Sequence, residues 1–165
     1  MPLTAATGLS DYLETQLLSL LKGTKVLATP GVTAPAAPTF YAGLFTTNPT
    51  DTGTTGGTAD GVEMTTTSGA TGYPAYARVV DTFGAITTAN VTPLNDATGQ
   101  EIQNSAALAW AANNGSATVT VTAIGVWDAA TGGNLWDYIP LASPQQVSVS
   151  SAFAVAASAE TIAVD

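Results

Sequence analysis

The feature that most constrains this chain is one continuous run, ATVTVTAIGVW–DAATGGN–LWDYIPL, from Ala117 to Leu141. Its first part alternates strictly. Val119, Val121, Ala123, Gly125 and Trp127 fall on one face of an extended strand, and Thr118, Thr120, Thr122, Ile124 and Val126 on the other. A period of two is the mark of a strand and rules out an amphipathic helix here. The middle, DAATGGN, is made of small and turn-forming residues. Asp128, Gly132, Gly133 and Asn134 are the turn-forming residues, with the glycines free to take positive φ. LWDYIPL supplies the returning strand, so the stretch is read as an antiparallel hairpin.

Other segments repeat the theme. FYAGLFTT (Phe40 to Thr47) is a buried strand that ends at Asn48-Pro49, and AYARVVDTF alternates after Pro74. GAITTANVTPL, IQNSAALAWA, QQVSVSSAFAVAA and ETIAVD read as further strands, with turns at Asn95-Asp96 and at AANNGS. About eight strands with regular turns predict a mainly β chain, an antiparallel β-sandwich or barrel-like domain. One helix stands apart. In LSDYLETQLLSLLKG (Leu9 to Gly23), Leu13, Leu17, Leu20 and Leu21 recur at helical spacing. Ser10 is placed as N-cap, and Gly23 as the stop. The predicted organisation is a single domain over residues 1–165: an arm at 1–8, the helix at 9–23, a Pro-rich connector at 24–39, and a β domain at 40–165 carrying a Gly/Thr-rich surface loop at 50–72. At ~1.5–3 kcal/mol for each fully buried leucine, docking dominates the helix's stability. Its stripe covers either the chain's own sheet or a neighbouring subunit.

Composition narrows the chemistry. Charged residues are 9 % of the chain, the formal net charge is −9, and the only cations are Lys22, Lys25 and Arg78. Phosphate backbones are held by clustered Lys and Arg, so no nucleic-acid partner is expected, and no anionic membrane for the same reason. No apolar run approaches the ~20 residues of a membrane span. The start lacks a basic region followed by an apolar one, so no cleaved signal is expected. With no Cys and no His, there is no disulfide framework, thiolate or imidazole metal site, or histidine-based triad.

The residues that remain for chemistry each carry two readings. Asp128 and Asp137 flank the hairpin turn. Paired carboxylates roughly 5–9 Å apart hydrolyse glycosides, and carboxylates hold Ca²⁺ where six to eight oxygens converge. The simpler reading is that Asp128 caps the turn. Trp127, Trp136 and Tyr138 are either a sugar platform or packing area in a core or subunit interface. Trp136 and Tyr138 share strand parity and are expected on one face. Arg78 pairs with a carboxylate, Asp81 or one brought near by folding, or else contacts a partner. GTTGG (Gly53 to Gly57) lacks the ending of a phosphate loop. The expectation is a non-enzyme with no catalytic residue, no cofactor and no metal.

Taken together, LSDYLETQLLSLL, YAGLFTTNPTD, GYPAYARV, NSAALAW, IGVWDAATGGNLWDYIPL, SPQQVSV and the terminal TIAVD resemble a family of small tailed-phage virion proteins, whose members are labelled tail fibre, minor tail or head-decoration proteins. The hairpin, with Asp128, Gly133, Asn134 and Leu135 in order, carries most of the likeness. The segment from Gly99 to Val119 is longer than in that family, and its single Gly-Tyr-Ala-Arg element is here Gly72-Tyr73-Pro74-Ala75-Tyr76-Ala77-Arg78. The resemblance implies a virion structural protein assembled in the host cytoplasm. The leading expectation is a capsid decoration or cement protein that bridges subunits of the major capsid protein as a homo-oligomer, with a trimer suited to a capsid lattice. The alternative is a tail fibre, baseplate or other minor tail protein that touches the host surface. Its partners are the major capsid protein or other virion proteins. The candidate partner-interface residues are Tyr12, Leu13, Leu17, Leu21, Arg78, Trp127, Trp136 and Tyr138.

Overall fold

The computed structural model describes residues 39–49, 61–91, 96–133 and 135–164. The arm, the helix with Tyr12, Leu13, Leu17 and Leu21, nearly all of the connector, residues 50–60 of the surface loop, and Asn134 lie outside the described residues.

Among the described residues the regular structure is entirely β. In chain order the strands are β1 (Phe40–Thr47), β2 (Val62–Glu63), β3 (Val79–Asp81), β4 (Thr87–Val91), β5 (Asp96–Gln103), β6 (Leu108–Ala109), β7 (Val119–Trp127), β8 (Leu135–Val147), β9 (Ala154–Val155) and β10 (Thr161–Val164). Every pairing between strands is antiparallel. The chain divides into two compact units.

The larger unit holds residues 39–82 and 106–157. Its main sheet runs β2-β1-β7-β8, with β3 also paired to β1, and is open rather than closed into a barrel. β1 is central and apolar on both faces, as a strand covered on both sides must be. Ala42 and Leu44 face the larger core with Met64, Tyr73, Tyr76, Leu108, Trp110, Val119, Val121, Ile124 and Val147. Phe45 faces the other way, into a smaller cluster with Ala123 and Trp127. The two-stranded β6-β9 ribbon is joined to this core through Trp110, whose ring lies 5.6 Å from that of Phe153. Buried Asn113 ties the 111–117 turn to the end of β8: its Nδ2 donates to the carbonyls of Ala117 and Val147 at 2.9 and 3.0 Å.

The smaller unit holds the sheet β10-β5-β4. β5 begins at Asp96, the second residue of the turn expected at Asn95-Asp96, and DATGQEIQ pairs with β4 on one side and β10 on the other; Asn95 lies outside the described residues. Asn104 follows it, and accepts the backbone N–H of Glu160 on Oδ1 at 2.9 Å.

The alternation of β7 holds for only part of its length. Val119 and Val121 pack in the larger core with Ile124, while Ala123 and Trp127 pack on the opposite side. The change coincides with a break in the ladder to β8: Val121 pairs Gln145 and Ala123 pairs Pro140, so Thr122 alone is set against Leu141, Ala142, Ser143 and Pro144. An insertion of this kind resets which side chains share a face. A second irregularity follows at once. Val126 pairs Asp137 and Trp127 pairs Leu135, which leaves Trp136 as the extra residue.

Candidate functional site

The hairpin tip between β7 and β8 is held from beneath by Arg78, the only cation among the described residues. The guanidinium grips Glu63 through two bonds, Nε to Oε1 and Nη2 to Oε2, each 2.7 Å. Nη1 donates to the backbone carbonyls of Ala129 at 2.8 Å and Gly132 at 2.6 Å. The same group lies over the Trp127 indole, its Cζ 3.6 Å from the ring centroid. Four donors and the π face are thus used on three neighbouring segments. A planar fork suits this arrangement, and an ammonium cannot reproduce it.

Two of its partners lie on strands, Glu63 on β2 and Trp127 at the end of β7. Val62–Glu63 pairs with the far end of β1, Phe45 opposite Glu63. Tyr76 sits between: its hydroxyl donates to Glu63 Oε1 at 2.9 Å and accepts the Leu44 backbone N–H at 3.0 Å. Burial, with the Glu63 charge second, pushes the Tyr76 phenol well above its ordinary value, so it remains a donor to the carboxylate. Trp127 also stacks on Phe45, with centroids 6.1 Å apart and planes at 17°. Room for this layer comes from a glycine pair, Gly43 opposite Gly125. A Cβ on Gly43 would lie 2.9 Å from Glu63 Oε1 and 3.0 Å from Trp127 Nε1; one on Gly125 would lie 2.5 Å from Phe45 Cε2 and 2.9 Å from Leu135 Cδ1. Gly132 and Gly133 take φ of 61° and 74°, closing the tip in the left-handed region. A cavity of about 280 Å³ opens beside the clamp, between Met64, Thr66, Arg78 and Thr131.

The sequence-predicted residues therefore separate. Arg78 and Trp127 meet each other and are buried, the Arg78 side chain 6 % exposed and its Glu63 partner 22 %. Arg78 pairs with Glu63, while Asp81 lies buried in β3. Trp136 and Tyr138 do not share a face, since the extra residue in β8 breaks their parity. Tyr138 packs with Leu135 on the Phe45–Trp127 cluster. Trp136 is 51 % exposed and meets Phe40 edge-on, with centroids 5.6 Å apart. Asp137 pairs with Val126 across the ladder, and its Oδ1 accepts the Tyr138 N–H at 2.8 Å. Desolvation raises its carboxyl above the usual range, with the backbone bond opposing. Asp128 starts the tip close to Gly133. No group of three or more Asp and Glu able to hold a metal ion occurs among the described residues.

Glu63 and Tyr76 are the residues that sequence reasoning missed. Glu63 follows a long aperiodic stretch, and two residues of strand are too short to show a period. The one available signal was indirect: a single arginine in so acidic a chain.

No curated protein matches the chain. The family of Podophage GP4 fiber I protein gp80 matches residues 8–163, nearly the whole length. With that match and an antiparallel β body, the chain belongs to the Podophage GP4 fiber I protein gp80 family of phage virion structural proteins.

Proposed function

We propose that this protein is a non-enzymatic component of the phage tail fibre, which joins other virion proteins through the shape and apolar surface of its β body. The observation that carries this reading is the family match over residues 8–163, because the family is described as a fiber protein. The geometry of the hairpin supports it. Its one cation is used entirely on the fold, and it holds a backbone tip rather than facing a substrate. Among the described residues three large apolar side chains stay exposed, Val80 at 57 %, Trp136 at 51 % and Val149 at 47 %. On this reading the protein acts as a homo-oligomer with a sandwich-like body, needs neither cofactor nor nucleic acid nor membrane, and is assembled into virions in the host cytoplasm.

A second reading places the same body on the capsid as a decoration protein, favoured by the scarcity of charge: 9 % charged residues suits a surface that meets other subunits. Copy number separates the two. Quantitative gels of purified virions are expected to show a small number of copies per particle, as a fibre requires. Hundreds of copies per particle would overturn the fibre reading in favour of the capsid.

A further inference from the structure

The chain contains a single Asn-Gly dipeptide, Asn114-Gly115. This is the pair most prone to cyclise, because glycine puts no side chain in the way of its own nitrogen. A Cβ on Gly115 would lie 3.1 Å from Asn113 Oδ1, Ser68 Oγ and Tyr73 Cβ alike, tighter than ordinary contact. Asn114 is exposed, and its Oδ1 accepts the Ala75 N–H at 2.8 Å, joining the 111–117 turn to the turn at 73–76. Tyr73 adds a bond to the Ala111 carbonyl at 3.1 Å, and Ser68 Oγ accepts the Ser116 N–H at 2.8 Å.

We infer that Asn114 is a latent deamidation site that the native fold holds silent. In the reaction the Gly115 nitrogen bonds to Asn114 Cγ and the Cγ–Nδ2 bond breaks. The amide proton leaves with the side-chain nitrogen as ammonia, and a succinimide remains. Water then opens the ring at either carbonyl, giving aspartate or isoaspartate. Two native bonds oppose the first step. The Gly115 N–H donates to Asn113 Oδ1 at 2.9 Å, which keeps the proton on the nucleophile and fixes where it points. Asn113 is itself completely buried and held by two carbonyls, so that acceptor does not move. The Ala75 N–H polarises the Asn114 carbonyl, a push toward reaction, but it also pins the side chain. Ring closure brings the Asn114 Cγ onto the Gly115 nitrogen, a movement that this bond restrains. Isoaspartate lengthens the backbone by one carbon at Asn114, within a turn tied at Ala75, Asn113 and Ser116. The change is irreversible under ordinary conditions, and the site becomes a one-way record of any opening of this turn.

The test is peptide mass spectrometry on the full chain at mildly alkaline pH, native and in urea. Asn114 is expected to convert at least about tenfold faster in the unfolded chain, the factor that local opening must supply. Asn113→Ala, checked for native circular dichroism, is expected to speed native conversion at Asn114 alone. Hydrogen exchange on the wild type gives an independent measure, with slow exchange expected at the Gly115 amide. Equal native and unfolded rates at Asn114, or a different asparagine converting first in urea, would overturn the inference.

Discussion

Arg78 shows how much of this fold rests on one side chain. It neutralises Glu63, holds two carbonyls of the hairpin tip and covers Trp127. Replacing it with lysine keeps the charge and loses the fork. Arg78→Lys is expected to lower stability by about 1–3 kcal/mol in urea titrations, since at least one carbonyl and one carboxylate oxygen lose their partner. Arg78→Ala, which leaves the Glu63 charge without its partner, is expected to cost about 3–5 kcal/mol. Equal stability of wild type and Arg78→Lys would show that the paired geometry contributes nothing.

Asp137 makes the opposite contribution. Its carboxyl is raised in the fold above the 3.8 of an unperturbed aspartate, chiefly by desolvation. The folded state therefore binds the proton more tightly than the unfolded one. Stability falls as pH rises through the window from 3.8 to the folded value, and the penalty is complete above that window. Asp137→Asn retains an oxygen for the Tyr138 N–H and removes the charge. It is expected to be more stable than wild type at neutral pH, with the difference vanishing below the aspartate range. A pH series of denaturation midpoints checks this, and a difference constant with pH would contradict it.

At the scale of elements, the β1–β7 pair carries the site. Gly43 and Gly125 face each other across the ladder and leave space for the Phe45–Trp127–Arg78 layer. Gly125→Ala is expected to cost about 1–3 kcal/mol by overpacking against Phe45 and Leu135, read as a lowered denaturation midpoint. These strands were legible in the sequence because alternation and β-branched runs depend only on neighbours in the chain. Which face each residue meets was legible for Val119 and Val121 and lost beyond Thr122. There the ladder to β8 breaks around three extra residues of β8 that no local pattern in β7 records. Trp136 and Tyr138 were misplaced for the same reason, one extra residue. The glycine turn at Gly132-Gly133 was legible because positive φ is a property of the residue. That Arg78 meets a carboxylate brought near by folding was legible; that this is Glu63 was not, because the return of β2 to β1 is a long-range event.

At the scale of the molecule, an acidic chain with little charge presents an open antiparallel sheet whose outer strand, β8, runs for 13 residues. Pro140 and Pro144 lie on that strand, and prolines remove donors that would otherwise recruit another chain edge-on. Association through aromatic side chains is then favoured over sheet extension. Trp136→Ala is expected to cost only about 0.5–1.5 kcal/mol of fold stability, the worth of its edge contact with Phe40. It is expected to reduce incorporation into virions, measured by immunoblot of purified particles. Full incorporation would remove Trp136 from the interface. The central claim, a structural part of the fibre, is tested most directly by cryo-electron microscopy of the intact virion, with the protein located by a fused tag. Density at the tail fibres alone is the predicted result; density spread across the capsid lattice would contradict it.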